Sequence, residues 1–240
     1  MGIAGVISLE KLRFIYEDLV MEFDLEVDAG EFLAVIGPSG AGKSTLLALI
    51  AGFENPVSGR IQLSGRDMTG VPPADRPVSM VFQDHNTFAH LDLWTNVALG
   101  ISPKLHLSPA ERERVDIALA RTGLTKLAHR KPGEISGGER QRVAISRALV
   151  RDKPVLLLDE PFAALGPALR REMLDLLLKL QAERGFTIVL VSHHPQDARY
   201  AASRTAFLNN GHIDAIGPTR EILERGDNAA LSAYLGDWEN

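Results

Sequence analysis

The chain has 240 residues, of which 45% are hydrophobic and 24% charged, with a formal net charge of −5 and no cysteine. That length suits one large domain, or a core with an inserted part, and buries enough surface to stand without disulfide or metal. Absent cysteine excludes disulfides, thiol catalysis and cysteine-bound metals, and the mild acidity offers no basic field for nucleic acid.

Along the chain, residues 7–10 and 21–27 alternate apolar and polar positions, the period of half-buried strands. Residues 32–36 form a continuous apolar run, as a central parallel strand requires. This run feeds a glycine-rich loop, and residues 43–51 then take helical spacing. Strands are expected again at 61–63 and 78–82, separated by the proline-rich turn at 71–75. From about 84 to 150 the pattern turns helical, with Ser108, Pro109 and Glu111 forming a helix start. A strand at 155–158, a helix from about 167 to 184 and a strand at 187–192 follow. Residues 207–213 read as a hairpin about Asn210-Gly211. The order predicts an α/β core with an α-helical part inserted near its middle.

Three motifs carry chemistry. Gly37-Pro38-Ser39-Gly40-Ala41-Gly42-Lys43-Ser44, followed by Thr45, lies between a strand and a helix, the setting of a phosphate-binding loop. Glycines let backbone N–H groups approach phosphates closely, and the helix N-terminus adds positive potential. Lys43 is expected to reach the β- and γ-phosphates of ATP and Ser44 to ligate Mg²⁺. The second motif is Asp159-Glu160 at the end of an apolar strand. A strand delivers such carboxylates to the C-terminal sheet edge, Asp159 for Mg²⁺ and Glu160 as general base toward water.

Ser136-Gly137-Gly138-Glu139 is the third, at the start of a helix, and is a second anion cradle. With one cradle already present, the second is expected to serve the nucleotide of another copy, two chains trapping two ATP head to tail. Glu139 brings negative charge near a γ-phosphate, so it is expected to point away or to pair with Arg140 or Arg142.

Together these motifs resemble the nucleotide-binding subunits of ATP-binding cassette (ABC) transporters, over residues 7–235, which implies an α/β P-loop NTPase core with an N-terminal antiparallel β part and an inserted α-helical part at 84–150. The resemblance implies further roles. Gln83 stands where the family has its metal- and water-sensing glutamine. His193 stands where the family's γ-phosphate histidine falls, with His194 as the competing assignment. Tyr16 corresponds to the aromatic that stacks on adenine, with Phe14 as its competitor. The family's aspartate after Pro161-Phe162-Ala163-Ala164-Leu165 is Gly166 here, which implies weaker coupling between the two sites.

The segments 72–83, 88–91 and 96–105 are similar to bacterial importers of small solutes, those for thiamine foremost, with iron, polyamine and sulfate importers as alternatives. No regulatory barrel is expected beyond the cassette. Partners implied are a second copy, integral membrane permease subunits and, indirectly, a periplasmic binding protein. Residues 1–6 lack a secretory pattern and no stretch reaches the ~18 apolar residues of a membrane span. The expected place is the cytoplasmic face of the bacterial inner membrane. Chromosome-organising ATPases need coiled coils that the ~90 residues between Lys43 and Ser136 leave no room for; small-molecule kinases share only the first motif. A membrane-linked ATPase that does mechanical work without transport is the remaining alternative.

Overall fold

The computed structural model describes residues 5–83, 87–224 and 228–239. β1 (Ile7–Tyr16) and β2 (Leu19–Val27) form an antiparallel hairpin. Alternation decides its faces: Met21, Phe23, Leu25 and Val27 of β2 are buried and the residues between them exposed. β3 (Phe32–Ile36) is buried at every position, as its unbroken apolar run requires. α1 (Lys43–Ala51) leaves the glycine loop, and β4 (Ser58–Leu63), β5 (Arg66–Asp67) and β6 (Val78–Val81) follow.

Three helices then intervene, α2 (Leu93–Ala98), α3 (Pro109–Arg121) and α4 (Gly137–Val150). The expected start of this region, at 84, lies outside the described residues. Ser108 and Glu111 close the capping box at α3 that their spacing predicts. The three helices share an apolar cluster that includes Leu93, Val97, Val115, Leu119 and Val143.

β7 (Val155–Asp159), α5 (Pro167–Arg184) and β8 (Thr187–Val191) resume the alternation, followed by α6 (Pro195–Ala201) and β9 (Arg204–Asn209). β10 (His212–Pro218), α7 (Thr219–Leu223) and α8 (Ala229–Glu239) complete the described chain. The β9–β10 turn has Asn210 and Gly211 at φ 46 and 83, the left-handed pair that an Asn-Gly hairpin calls for. None of the motif reasoning anticipated α6, α7 or α8.

Among the described residues the strands form one ten-stranded sheet in the order β5-β4-β1-β2-β10-β9-β3-β8-β7-β6. β9, β3, β8, β7 and β6 run parallel, while β1, β2, β4 and β5 are antiparallel. β10 is the seam: it pairs along β9 and touches β2 at His212 opposite Glu22. This parallel arrangement puts the C-terminal ends of β3, β8 and β7 side by side, where the phosphate loop, the histidine loop and the acidic pair emerge.

α1 covers one sheet face with Leu46, Leu47, Leu49 and Ile50. α4 and α5 pack on β7 and β8, and α6, α7 and α8 pack on β3 and β9.

Among the described charged residues, Arg76 is the most deeply buried. Arg76 is 0% exposed and donates to the carbonyls of Val71 (2.8 Å), Leu49 (2.7 Å) and Ile50 (2.9 Å). The last two belong to the final turn of α1, whose orphan carbonyls carry partial negative charge that a guanidinium satisfies.

Candidate functional site

The glycine loop joins β3 to α1. Gly37 has φ +149, and a Cβ there would lie 2.0 Å from the Leu208 carbonyl oxygen of β9. No side chain fits, which lets the loop leave the sheet edge at once. Pro38, Ser39 and Gly40 are exposed at the rim, while Ala41, Gly42 and Lys43 are buried and Thr45 is half-buried behind Ser44.

Lys43 is 4% exposed, and its Nζ donates to the carbonyls of Gly37 and Pro38 at 2.8 Å each. Burial lowers its pKa, opposed by the Glu160 and Asp159 carboxylates. Such a desolvated ammonium gains most from a polyanion brought into the loop.

Ser44 Oγ donates to Asp159 Oδ1 at 2.9 Å, so the residues named for Mg²⁺ meet across the loop mouth. A hydroxyl and a carboxylate are hard oxygen donors that suit Mg²⁺. Burial raises the Asp159 pKa, opposed first by the Ser44 hydrogen bond and aided by the neighbouring Glu160 charge. Among the described residues no group of three or more His, Cys, Asp or Glu converges as a metal cage. These donors therefore fit an ion that takes its remaining ligands from phosphate and water.

Glu160 follows β7 with φ 46, an uncommon backbone for a non-glycine residue, and its N–H donates to the Val191 carbonyl at 3.1 Å. Left-handed geometry at this position turns the side chain off the strand axis. Its Oε1 lies 2.6 Å from His193 Nε2. The structure thus brings His193, and not His194, to the acidic pair. His194 begins α6 and its backbone N–H donates to Ser192 Oγ at 3.0 Å. Burial lowers the His194 pKa, with Arg170 acting in the same direction.

The Tyr16 and Phe14 alternatives separate by burial. Phe14 is 8% exposed and belongs to the core, whereas Tyr16 is 59% exposed at the end of β1. Phe14 pairs with Met21, whose sulfur would lie 3.0 Å from a Cβ at Gly42. Two residues further along the same face, Tyr16 stands about 7 Å on.

Gln83 is exposed just beyond β6. Val81 pairs with Leu158, so Gln83 leaves the sheet at the same edge as Asp159.

Ser136 is the exposed N-cap of α4. Of the two alternatives expected for Glu139, pointing elsewhere or pairing with Arg140 or Arg142, the pairing is not what the structure has. Glu139 Oε2 instead accepts from the Ser136 backbone N–H (2.7 Å) and from Ser136 Oγ (2.8 Å), while Ser136 Oγ accepts from the Glu139 N–H (3.3 Å). Arg140 donates to the Ile135 carbonyl at 2.9 Å and Arg142 to Glu172 at 2.6 Å. The reason is local: a carboxylate at the third helical position closes a capping box on the helix's own free N–H groups before any distant arginine can compete. Those hydrogen bonds lower the Glu139 pKa and keep its charge turned back along the helix. Gly137 and Gly138 sit in the first turn, and a Cβ at Gly138 would lie 2.4 Å from Leu169 Cδ2 of α5. Gly166 is the N-cap of α5 and offers no capping side chain.

Sequence reasoning missed Asp197. Its Oδ2 accepts from Ser192 Oγ at 2.6 Å, beneath the histidine loop, and burial raises its pKa. The signal was present: Pro195 at a first helical position with an acid in the first turn marks a helix start.

A groove of about 400 Å³ opens between the parallel strands and the helices, lined by Phe53, Phe82, Phe88, Pro103 and Arg147 among others. Phe53 and Phe82 meet edge to face at 5.5 Å.

Known proteins match this architecture. The ABC transporter family profile covers residues 20–163. The thiamine import ATP-binding protein ThiQ of Brucella suis is 55% identical over 231 residues, 96% of each chain. Among solved structures, cbiO1 of Clostridium perfringens, part of the ABC transporter complex cbiONQ, is 30% identical at TM-score 0.84 and 92% coverage of both chains. A dimeric ATP-binding cassette in a post-hydrolysis state, bound to ADP and Pi, is 30% identical at TM-score 0.76, over 92% of this chain and 99% of its own.

The phosphate loop, the acid pair and the capped glycine helix stand on the fold those proteins share, and this chain belongs to the ABC transporter family. It is an ABC-type ATPase, as the motifs implied. Among the described residues no helix is long and apolar enough to cross a membrane.

Proposed function

We propose that this chain is the ATP-hydrolysing subunit of a bacterial thiamine importer, working with Mg²⁺ at the cytoplasmic face of the inner membrane. The observation that carries the cargo is the 55% identity over 96% of both chains to a thiamine import ATP-binding protein.

Lys43 and the Gly37–Ser44 loop hold the phosphates, and Tyr16 stacks on the adenine ring. Ser44 and Asp159 hold Mg²⁺, with Gln83 reaching toward it from the end of β6. Bound there, the ion would neutralise phosphate charge and orient the chain of oxygens. Glu160 positions the attacking water as base, and its 2.6 Å contact with His193 supports one working unit of the two. His193 stabilises charge developing on the γ-phosphate.

Two copies close head to tail, the exposed N-terminus of α4 (Ser136, Gly137, Gly138, Glu139) facing the nucleotide held by the other copy. The ADP-bound dimeric relative supports this reading. Glu139 Oε2 holds the Ser136 hydroxyl at 2.8 Å, so this carboxylate turns aside before Ser136 donates to the arriving phosphate. The helical unit expected over 84–150 lies within a cassette expected over 7–235, and closure moves that unit. The aromatic groove between core and helices then takes a helical segment of a permease subunit, and an apolar helix face is the element that fits such a groove. A periplasmic binding protein delivers cargo to that permease and never meets this chain.

Labelled thiamine uptake in cells deleted for this chain tests the proposal. Wild type should restore uptake and Glu160→Gln should not, while still binding ATP. Unimpaired uptake in the deletion strain moves the assignment to another small solute such as iron, polyamine or sulfate, or to mechanical work at a membrane.

A further inference from the structure

The segment beyond β10 carries none of the motifs. Its last helix, α8, starts at Asn228, whose side-chain Oδ1 accepts from the Leu231 N–H at 2.9 Å. α8 buries Leu231 completely, in a cluster with Ile36 and Phe207 on the sheet face opposite α1. Ile36 and Phe207 are partners across β3 and β9, and Ile36 is the residue before Gly37. α8 therefore lies under the point where the phosphate loop leaves the sheet.

From that helix Tyr234 reaches the histidine loop. Its ring packs on Phe207 at 5.6 Å between centroids, and its Oη donates to the His193 carbonyl at 2.7 Å. The neighbours of His193 are held from below: Ser192 by the Val35 carbonyl and Asp197, and His194 by Ser192 Oγ.

We infer that Tyr234 is a positioning residue for the ATPase reaction: its hydroxyl fixes the His193 main chain so that the imidazole stays on Glu160. The inference rests on the role given to His193 above.

The chemistry of the group fits the task. Burial pushes the phenol pKa up to about 12, with the Gly37 backbone N–H opposing it, so the hydroxyl remains a donor at every physiological pH. A main-chain anchor two bonds from the histidine Cα restricts the ring without occupying either imidazole nitrogen. Without it the carbonyl must find another donor or water, and the loop between β8 and α6 gains freedom at the one residue whose placement the site needs.

The test uses the purified full chain, with steady-state ATPase measured against ATP concentration at fixed Mg²⁺ and Tm measured for each variant. Tyr234→Phe keeps the ring and removes only the hydroxyl. Expected is a fall in kcat of about tenfold, the equivalent of ~1.4 kcal/mol, with KM for ATP within about twofold and Tm nearly unchanged. Phe207→Leu loosens the same helix without touching the hydroxyl; it should lower Tm and leave kcat near wild type.

In a His193→Ala background Tyr234→Phe should cost nothing further, because the two act as one unit. An unchanged kcat in Tyr234→Phe, an equal loss in the His193→Ala background, or a loss that follows Tm in both Tyr234→Phe and Phe207→Leu overturns the positioning role. A His193→Ala chain with wild-type kcat overturns the histidine assignment itself, which separates the two failures.

Discussion

Gly166 is the position where a single substitution separates stability from coupling. It is the N-cap of α5 at φ −66 and ψ 162, with no side-chain cap and Pro167 next. A Cβ built there meets nothing within 4 Å, so a side chain enters without strain. Replacing glycine at a compatible φ lowers the entropy of the unfolded chain, a gain of roughly 0.4–1 kcal/mol. An aspartate cap adds a few tenths over glycine, plus about 0.3 kcal/mol or more from its charge at the helix N-terminus. Gly166→Asp should therefore stabilise the nucleotide-free chain by about 1–1.5 kcal/mol, or ~3–5 °C in Tm for a chain of this size.

Gly166→Ala takes the entropic gain and loses about as much in capping, so its Tm should stay near wild type. Thermal unfolding of the three proteins reads this directly. An aspartate variant no more stable than the alanine one refutes the capping argument. The same variant tests coupling, because the ABC resemblance places an aspartate there. Its steady-state ATPase should rise, and an unchanged rate with an intact dimer would remove the claim that Gly166 weakens communication between sites.

Two further outcomes follow from buried charge. The Asp159 carboxyl, its pKa raised by burial, is penalised by folding when ionised; its stabilising contribution is complete below the unfolded pKa and lost as pH rises through the folded one. Asp159→Asn should therefore raise the Tm of the nucleotide-free chain at pH 7, by a margin that shrinks as acid protonates the wild-type carboxyl, while Mg²⁺-dependent ATPase is lost. A margin that does not shrink in acid, read by thermal unfolding from pH 7 to 4, would contradict this. Arg76→Met should destabilise by about 3 kcal/mol, ~6–12 °C in Tm, because the Val71 carbonyl and two carbonyls at the end of α1 lose a charged donor; a cost below about 1 kcal/mol in urea unfolding would mean that water replaces the guanidinium.

What was legible in the sequence is what is local. A strand, a glycine loop and a helix are specified within twenty residues, so β3, the phosphate loop and α1 follow from period and glycine placement alone. The same holds for the Ser108–Glu111 cap of α3 and for the Asn-Gly hairpin after β9. Each depends on hydrogen bonds between residues a few positions apart.

Tertiary structure decided the rest. Lys43, Asp159 and His193 come from three separate stretches and meet only because parallel strands end at one edge of the sheet. Sequence could not choose between Tyr16 and Phe14, which share a strand face; the structure buries Phe14 and leaves Tyr16 exposed. Nor could it find Arg76, whose partners are the backbone carbonyls of Val71 and the end of α1, or Tyr234, whose partner is the His193 carbonyl. Main-chain acceptors leave no trace in residue identity. The motifs therefore fix the chemistry of the chain, while the backbone groups that hold those motifs in place exist only once the sheet has assembled.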